Sequence, residues 1–291
     1  MIAEMQGRIC LVTGATSGIG KATASALARL GATVIMVCRD ASKGREVARD
    51  IRATTENDTI TVLVADLSLQ SQVRGLAEAF TRKHDRLDVL VNNAGAMFPQ
   101  RVETAEGIET TLAVNHLAPF LLTNLLLDKL RAAGHGRIVN VNSDEHGKAR
   151  LDFDDLQMRQ TYPRGGIGMR AYGNAKLANL LTTYELARRL GDCGVTANAL
   201  HPGYVATNIL PFDKASGPVR LLKPLWQIAR HLIVSSEEGA ATPVYLAASP
   251  DVRKLSGLYF QNRVPIVSSA LSRDPELQRR MWEFSEKLTA G

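Results

Sequence analysis

The sequence predicts a single doubly wound α/β domain: a parallel sheet of seven strands with helices on both faces. Three observations carry this expectation. Short, β-branched apolar runs alternate with helix-length segments from residue 8 onwards. A glycine-rich turn joins the first run to the first helical segment. No Pro/Ser-rich linker, low-complexity segment or internal repeat divides the 291 residues, a length that one domain with a large core accommodates.

In chain order, "RICLVT" (8–13) reads as the first strand and "KATASALARLG" as the helix that returns the chain. "TVIMVC" (33–38) and "TVLVA" (61–65) give the second and third strands, and "SQVRGLAEAFTRKH" another crossover helix. "DVLVN" (88–92), "RIVNVN" (137–142) and "VTANAL" (195–200) follow, and "SGLYF" (256–260) adds a seventh. These runs are apolar on both sides instead of alternating, as strands covered by helices on both faces must be.

Composition removes several function classes. Aromatic residues make up 5% of the chain, too few for stacking platforms, and no dense Lys/Arg block accompanies the net charge of +6. The chain is therefore not expected to bind nucleic acid, although its charge favours anionic ligands. Cys10, Cys38 and Cys193 show no CxxC or metal-ligand spacing, and the six histidines form no zinc pattern. A metal site is not expected, and the free thiols suit a reducing compartment. "MIAEMQGR" lacks the layout of a secretory signal. No uncharged apolar run approaches the roughly 20 residues of a membrane span. A soluble, cytoplasmic protein is expected.

"TGATSGIG" (13–20) places Gly14, Gly18 and Gly20 between strand and helix, with Thr16, Ser17 and Ile19 among them. Such a turn lets the backbone approach a pyrophosphate, which the N–H groups and positive dipole end of the next helix attract. The second strand ends "VCRD". Arg39 stands where a 2′-phosphate would sit, with Asp40 one step beyond and Lys43 offering a second cation. A guanidinium matches phosphate oxygens, whereas a carboxylate would accept from a 2′-hydroxyl. The expected cofactor is NADP(H).

In "AYGNAK" (171–176), Tyr172 and Lys176 are one helical turn apart. An ammonium beside a phenol stabilises phenolate and draws its pKa from about 10 towards the range of an acid/base catalyst. The pair alone fits an ordinary amphipathic helix better, because Tyr-x-x-x-Lys is common by chance. The rest of the chain decides.

"TGATSGIG", "NNAG" (92–95), Asn115, Ser143 and "YGNAK" occur in the order and approximate spacing of the short-chain dehydrogenase/reductase family, which the chain resembles over nearly its whole length. With "CRD", "DEHGKARLDFDDLQ", "KLANLL", "LHPGYVATN" and "RMWEFSEKL", it looks like the retinol-dehydrogenase-like branch. The resemblance implies a Rossmann fold and hydride transfer between NADP(H) and a carbonyl or alcohol. It assigns Tyr172 as proton donor or acceptor and Lys176 as its pKa modifier and partner of the nicotinamide ribose. Ser143 would hydrogen-bond the developing oxyanion, and Asn115 would anchor a water relaying protons to Lys176. Asp66 would contact adenine with Leu67 beside it; Asn92, Ala94 and Gly95 would line the cofactor channel. Pro202, Gly203, Val205 and Thr207 would meet the nicotinamide end.

Two departures stand out: Ala175 where many relatives have Ser, and Asn142 where a Ser commonly precedes Ser143. Membrane-bound relatives carry an N-terminal anchor, whereas this chain starts almost directly at the first strand, which weakens the case for a membrane-dissolved retinoid. Substrate choice is expected to lie in "HGKARLDFDDLQMRQTYPRGGIG" and in a substrate-loop segment at about 204–235. That segment includes "GPVRLLKPLWQIARHLIV", with Arg220, Lys223, Arg230 and His231 interspersed. It reads as a lid over a lipophilic pocket, the alternative being weak contact with a membrane surface. The leading expectation is an alcohol dehydrogenase or ketone/aldehyde reductase acting on a lipophilic substrate. A ketoreductase for polycyclic substrates and a catalytically silent NADPH-binding sensor or scaffold are the alternatives. By the same resemblance, helices around 115–132 and 170–190 pair in a homodimer or homotetramer, and "LLTNLLLDKL" offers spare apolar residues for it.

Overall fold

The computed structural model describes residues 5–162, 168–203 and 234–290. Strands β1 (Ile9–Thr13), β2 (Thr33–Cys38), β3 (Ile60–Val64), β4 (Val89–Asn92), β5 (Arg137–Val141), β6 (Thr196–His201), β7 (Tyr259–Gln261) and β8 (Val264–Ile266) form one sheet, in the order β3-β2-β1-β4-β5-β6-β7-β8. The first seven are parallel, as the sequence implies. The eighth was not expected, and it runs antiparallel to β7. Asn262 and Arg263 connect the two with φ of 51° and 67°, the left-handed pair that a two-residue hairpin needs. Arg is not a usual residue for such a turn, so the signal in sequence is faint.

Neighbouring positions on each central strand enter different cores. Cys10, Val12, Val34 and Met36 pack on one side, where α1 (Gly18–Arg29) and α2 (Ala41–Thr55) lie. Leu11, Ile35 and Val37 pack on the other with α3 (Gln70–Thr81). This two-sided burial explains the unbroken apolar runs.

The stretch expected as a helix over 115–132 is interrupted. A short α4 (Thr110–Leu112) passes through a π-helical turn (Ala113–Leu117) into α5 (Ala118–Leu125) and α6 (Leu127–Ala132). Pro119 has no N–H, so it cannot serve the Asn115 carbonyl four residues back, and the helix widens there. Of the leucines in "LLTNLLLDKL", Leu121, Leu122, Leu126 and Leu130 are buried within the domain and only Leu125 is exposed. The spare apolar surface expected there is mostly absorbed by the domain's own core.

The long helix α7 (Met169–Leu190) is buried along almost its whole first half. Helix α8 (Ser236–Ala248) starts on a reciprocal cap between Ser235 and Glu238, and α9 (Pro275–Thr289) starts on Asp274 with Pro275 at its first position. The described part of the insert at 146–168 forms a small core with α7 and α9 through Leu156, Leu177, Leu181 and Met281.

Candidate active site

Strand order reverses between β1 and β4, and in such sheets the crevice at the carboxyl ends of the strands is where ligands bind. A cleft of about 750 Å³ lies there, running from the glycine turn to the start of α7.

The turn is built to bring two backbones together. Gly14 has φ +66°, and a Cβ on it would come within 2.9 Å of the Ala94 Cα; on Gly20, a Cβ would sit 2.3 Å from the Gly14 carbonyl oxygen. Thr13 Oγ1 accepts from the N–H groups of Asn93 and Ala94 at 2.9 and 3.0 Å, and Asn93 Nδ2 donates to the Thr13 carbonyl at 2.8 Å. The start of α1 is thereby aimed into the cleft, whose wall includes Gly14, Thr16, Ser17, Gly18, Ile19 and Gly20. A backbone cradle that any side chain at 14 or 20 would fill fits a dinucleotide pyrophosphate.

Further along, Arg39, Asp66, Leu67, Ala94 and Gly95 line the same cleft. Asp40 caps α2, its carboxylate accepting from the Ser42 and Lys43 N–H groups at 2.8 and 3.1 Å. Those bonds hold its carboxyl below the usual carboxylate range. With Asp40 occupied as a cap, Arg39 is the ionic side chain presented at the end of β2. Lys43 is exposed on α2 and does not line the cleft. Asn92 departs from expectation as well: it is buried, and Nδ2 donates to Asn140 Oδ1 at 2.8 Å and Thr123 Oγ1 at 3.0 Å, tying β4 to β5 and α5. Asn93, one residue past the strand end, takes the place on the wall. The double Asn of "NNAG" was the available signal, because its second Asn falls just beyond β4.

At the other end, Ser143, Tyr172 and Lys176 share the wall with Pro202 and Gly203. Ser143 follows β5 and caps a 3₁₀ turn (Asp144–Lys148), its Oγ accepting from the Glu145 N–H at 3.3 Å. His146 Nδ1 donates to the Ser143 carbonyl at 2.7 Å, while its Nε2 accepts from the Ser269 N–H at 3.2 Å. Helix α7 approaches this turn closely, because a Cβ on Gly173 would lie 2.9 Å from the Glu145 carbonyl oxygen. Glycine within "YGNAK" therefore lets the start of α7 bring Tyr172 to the same wall as Ser143.

The electrostatics correct one expectation. Burial raises the Tyr172 phenol above its ordinary value; the neighbouring Ser143 hydroxyl opposes this, and Asp144 and Glu145 add to it. Lys176 Nζ lies 5.5 Å from the Tyr172 ring centroid and donates to the Val141 carbonyl at 2.8 Å. Its ammonium therefore does not bring the phenol down here, and burial lowers Lys176 itself to about 8. The desolvation of both groups by burial outweighs their sequence spacing.

Asn115 does not line the cleft. Its Nδ2 donates to the Ala96 and Thr111 carbonyls at 2.7 and 2.8 Å, and Oδ1 accepts from the Ala96 N–H at 3.2 Å. Its side chain is spent on shaping the loop after β4. Val205, Thr207 and the 204–235 segment up to residue 233 lie outside the described residues. No described residue of the insert lines the cleft. Instead, Gln157 accepts from Arg101 Nε and the Glu109 N–H, and the Tyr162 hydroxyl donates to the Phe98 carbonyl at 2.7 Å. The insert thus braces the loop carrying Met97 and Phe98, which, with Val114 and Met169, gives this end of the cleft its apolar wall. Asp144 and His201 were not singled out in the sequence; both follow or end strands at the crevice. Among the described residues, no cluster of His, Cys, Asp or Glu is arranged to hold a metal, and no helix is long and apolar enough to cross a membrane.

A family model described as short chain dehydrogenase matches residues 8–152. Retinol dehydrogenase 12 of Mus musculus is 40% identical over 285 residues, covering 98% of this chain and 87% of the mouse protein. Among solved structures, an uncharacterised protein of Mycobacterium paratuberculosis superposes with a TM-score of 0.78 at 33% identity, covering 98% of this chain and 94% of that one. Pseudomonas aeruginosa RhlG, solved with NADP in its active site, gives 0.69 at 26% identity, covering 94% and 99%.

Proposed function

The chain belongs to the short-chain dehydrogenase/reductase family, in its retinol-dehydrogenase-like branch, and from that premise we propose that it is an NADP(H)-dependent oxidoreductase interconverting a carbonyl and an alcohol on a lipophilic substrate. The observation that carries the reading is that Tyr172, Ser143 and Lys176 line one cleft with the glycine turn. Met97, Phe98, Val114 and Met169 support a lipophilic substrate. A bound nicotinamide supplies the hydride acceptor or donor and, when oxidised, a positive charge. The chain's own residues handle the proton. Tyr172 Oη gives its proton to the substrate oxygen in reduction and takes it back in oxidation; Ser143 Oγ hydrogen-bonds the same oxygen as charge develops on it. Lys176 would hold the nicotinamide ribose, and the Asn115 carbonyl would anchor the water that returns the proton.

NADPH consumption, followed optically with retinal, steroid and polycyclic ketones and small aldehydes, tests the reading. No turnover on any of them while NADPH binds would leave a silent nucleotide sensor instead. Because Asp40 is committed to capping α2, Arg39→Asp is expected to weaken NADPH and favour NADH in relative terms. An unchanged preference in competitive titrations would make Arg39 a bystander.

Assembly as a homodimer or homotetramer is part of the same proposal. Strand β8 is a sheet edge carrying Val264 at 58% exposure with Val267 at 77% just beyond it, and an apolar edge of this kind needs cover. A monomeric mass in light scattering at micromolar protein would overturn it. A cytoplasmic location is likewise proposed, and fractionation of the expressing cell tests it.

A further inference from the structure

We propose that Asn142 and Asn179 act as positioning residues, a two-amide chain that fixes Ser143, Lys176 and the Asn115 carbonyl relative to one another; the proposal rests on the catalytic reading above. Asn142 Oδ1 accepts from the Ser143 N–H at 2.8 Å. Its Nδ2 donates to the Lys176 carbonyl at 3.0 Å and to Asn179 Oδ1 at 3.2 Å. Asn179 Nδ2 then donates to the Asn115 carbonyl at 3.3 Å. Both amides are buried, at 2% and 5% exposure.

The polarity of this chain is fixed by its ends. The Ser143 N–H can only donate and the Lys176 carbonyl can only accept, so Asn142 has one allowed orientation. That orientation turns Nδ2 towards Asn179 and so presents the Asn179 Nδ2 to the Asn115 carbonyl. The receiving end is prepared as well. Pro119 denies that carbonyl its helical donor, and the Asn115 side chain is already spent on Ala96 and Thr111. One donor from α7 therefore holds the carbonyl.

Packing alone does not account for the arrangement. Leucines of similar volume would fill the same space, and two mutually satisfied amides add direction to a core only if direction matters. Being neutral, they hold the site without adding a charge that would shift Tyr172 or Lys176. A Ser at position 142, as in many relatives, is too short to bridge to Asn179, so here the bracing passes through this chain's own pair.

The test is a double-mutant cycle on the full chain with NADPH and whichever carbonyl the parent reduces. Asn142→Ala, Asn179→Ala and the double variant are compared in kcat, substrate KM, NADPH affinity by fluorescence titration, and melting temperature. Small displacements of reacting groups are costly in rate, so each single variant is expected to lose about tenfold or more in kcat. KM and NADPH affinity are expected to stay within about twofold. Cutting either link severs the same chain, so the double variant is expected to lose no more than the worse single one. Asn179→Leu, which keeps the volume but can neither accept from Asn142 nor donate to the Asn115 carbonyl, gives the same kcat loss with less risk to folding. Losses that multiply, or kcat values matching the parent, overturn the proposal. A parent that binds NADPH but turns nothing over overturns the catalytic reading first, and a fully active parent with unaffected variants overturns only the chain.

Discussion

Tyr172→Phe is expected to fold as the parent does and to bind NADPH with similar affinity, yet to lose about 10²–10⁴-fold in turnover, the usual worth of a positioned acid/base group. Phe keeps the ring in its buried place at the cleft wall and removes only the hydroxyl, whose neighbour Ser143 remains beside the cleft. The raised pKa of the phenol sets the pH dependence. A tyrosine held above its ordinary value stays protonated through neutral pH, ready to donate to a carbonyl oxygen. Reduction should therefore be nearly flat across neutral pH. Alcohol oxidation requires the phenol to give up its proton, so its rate should climb with pH. Substantial reductase activity in Tyr172→Phe, on any carbonyl the parent reduces, would remove Tyr172 from the mechanism.

Why the site was largely legible in sequence follows from where its residues sit. Glycines that prevent a backbone clash, the residues just past a strand end, and an i, i+4 pair on one helix are all set by local geometry. Gly14, Gly20, Ser143, Tyr172 and Arg39 fall in these classes, and all five line the cleft. What the sequence did not carry is long-range. Asn92 and Asn115 have the right residue type, but their side chains are consumed by Asn140, Thr123, Ala96 and Thr111, partners that only the folded chain supplies. The segment 146–168 is readable in sequence as a place for substrate choice. That it packs on α9 and reaches the cleft only by bracing the loop after β4 depends on contacts between Gln157, Arg101 and Glu109. The antiparallel β8 was hidden because an Asn-Arg turn is a weak hairpin signal. The direction of the Tyr172 shift is hidden for another reason: i, i+4 spacing sets proximity, while burial, invisible in sequence, sets the dielectric.

Lys176→Met is expected to abolish turnover and weaken NADPH while leaving the protein at least as heat-stable as the parent near neutral pH. Lys176 is 3% exposed, and burial lowers its pKa from 10.5 to about 8. Each pKa unit is worth about 1.4 kcal/mol, so holding the ammonium in the folded chain costs about 3–4 kcal/mol wherever the group is charged in both states. The unfolded chain keeps its proton up to about the ordinary lysine value, whereas the folded one releases it from about 8. Between these values the unfolded state binds more protons, so parent stability rises with pH across that window and is lowest, on this account, below it. A methionine fills similar space without a charge to desolvate. It forfeits the bond to the Val141 carbonyl, a charged hydrogen bond worth about 1.5–3 kcal/mol. The two terms nearly cancel near neutral pH. Melting curves recorded from neutral to alkaline pH should therefore show the parent gaining stability relative to Lys176→Met as pH passes 8. A melting point well below the parent's at neutral pH, with parallel pH slopes, would mean that Lys176 is an ordinary structural residue. A stable, inactive variant that lacks the alkaline rise would mean that the fold tolerates a costly buried charge at the position where the proposed chemistry uses one.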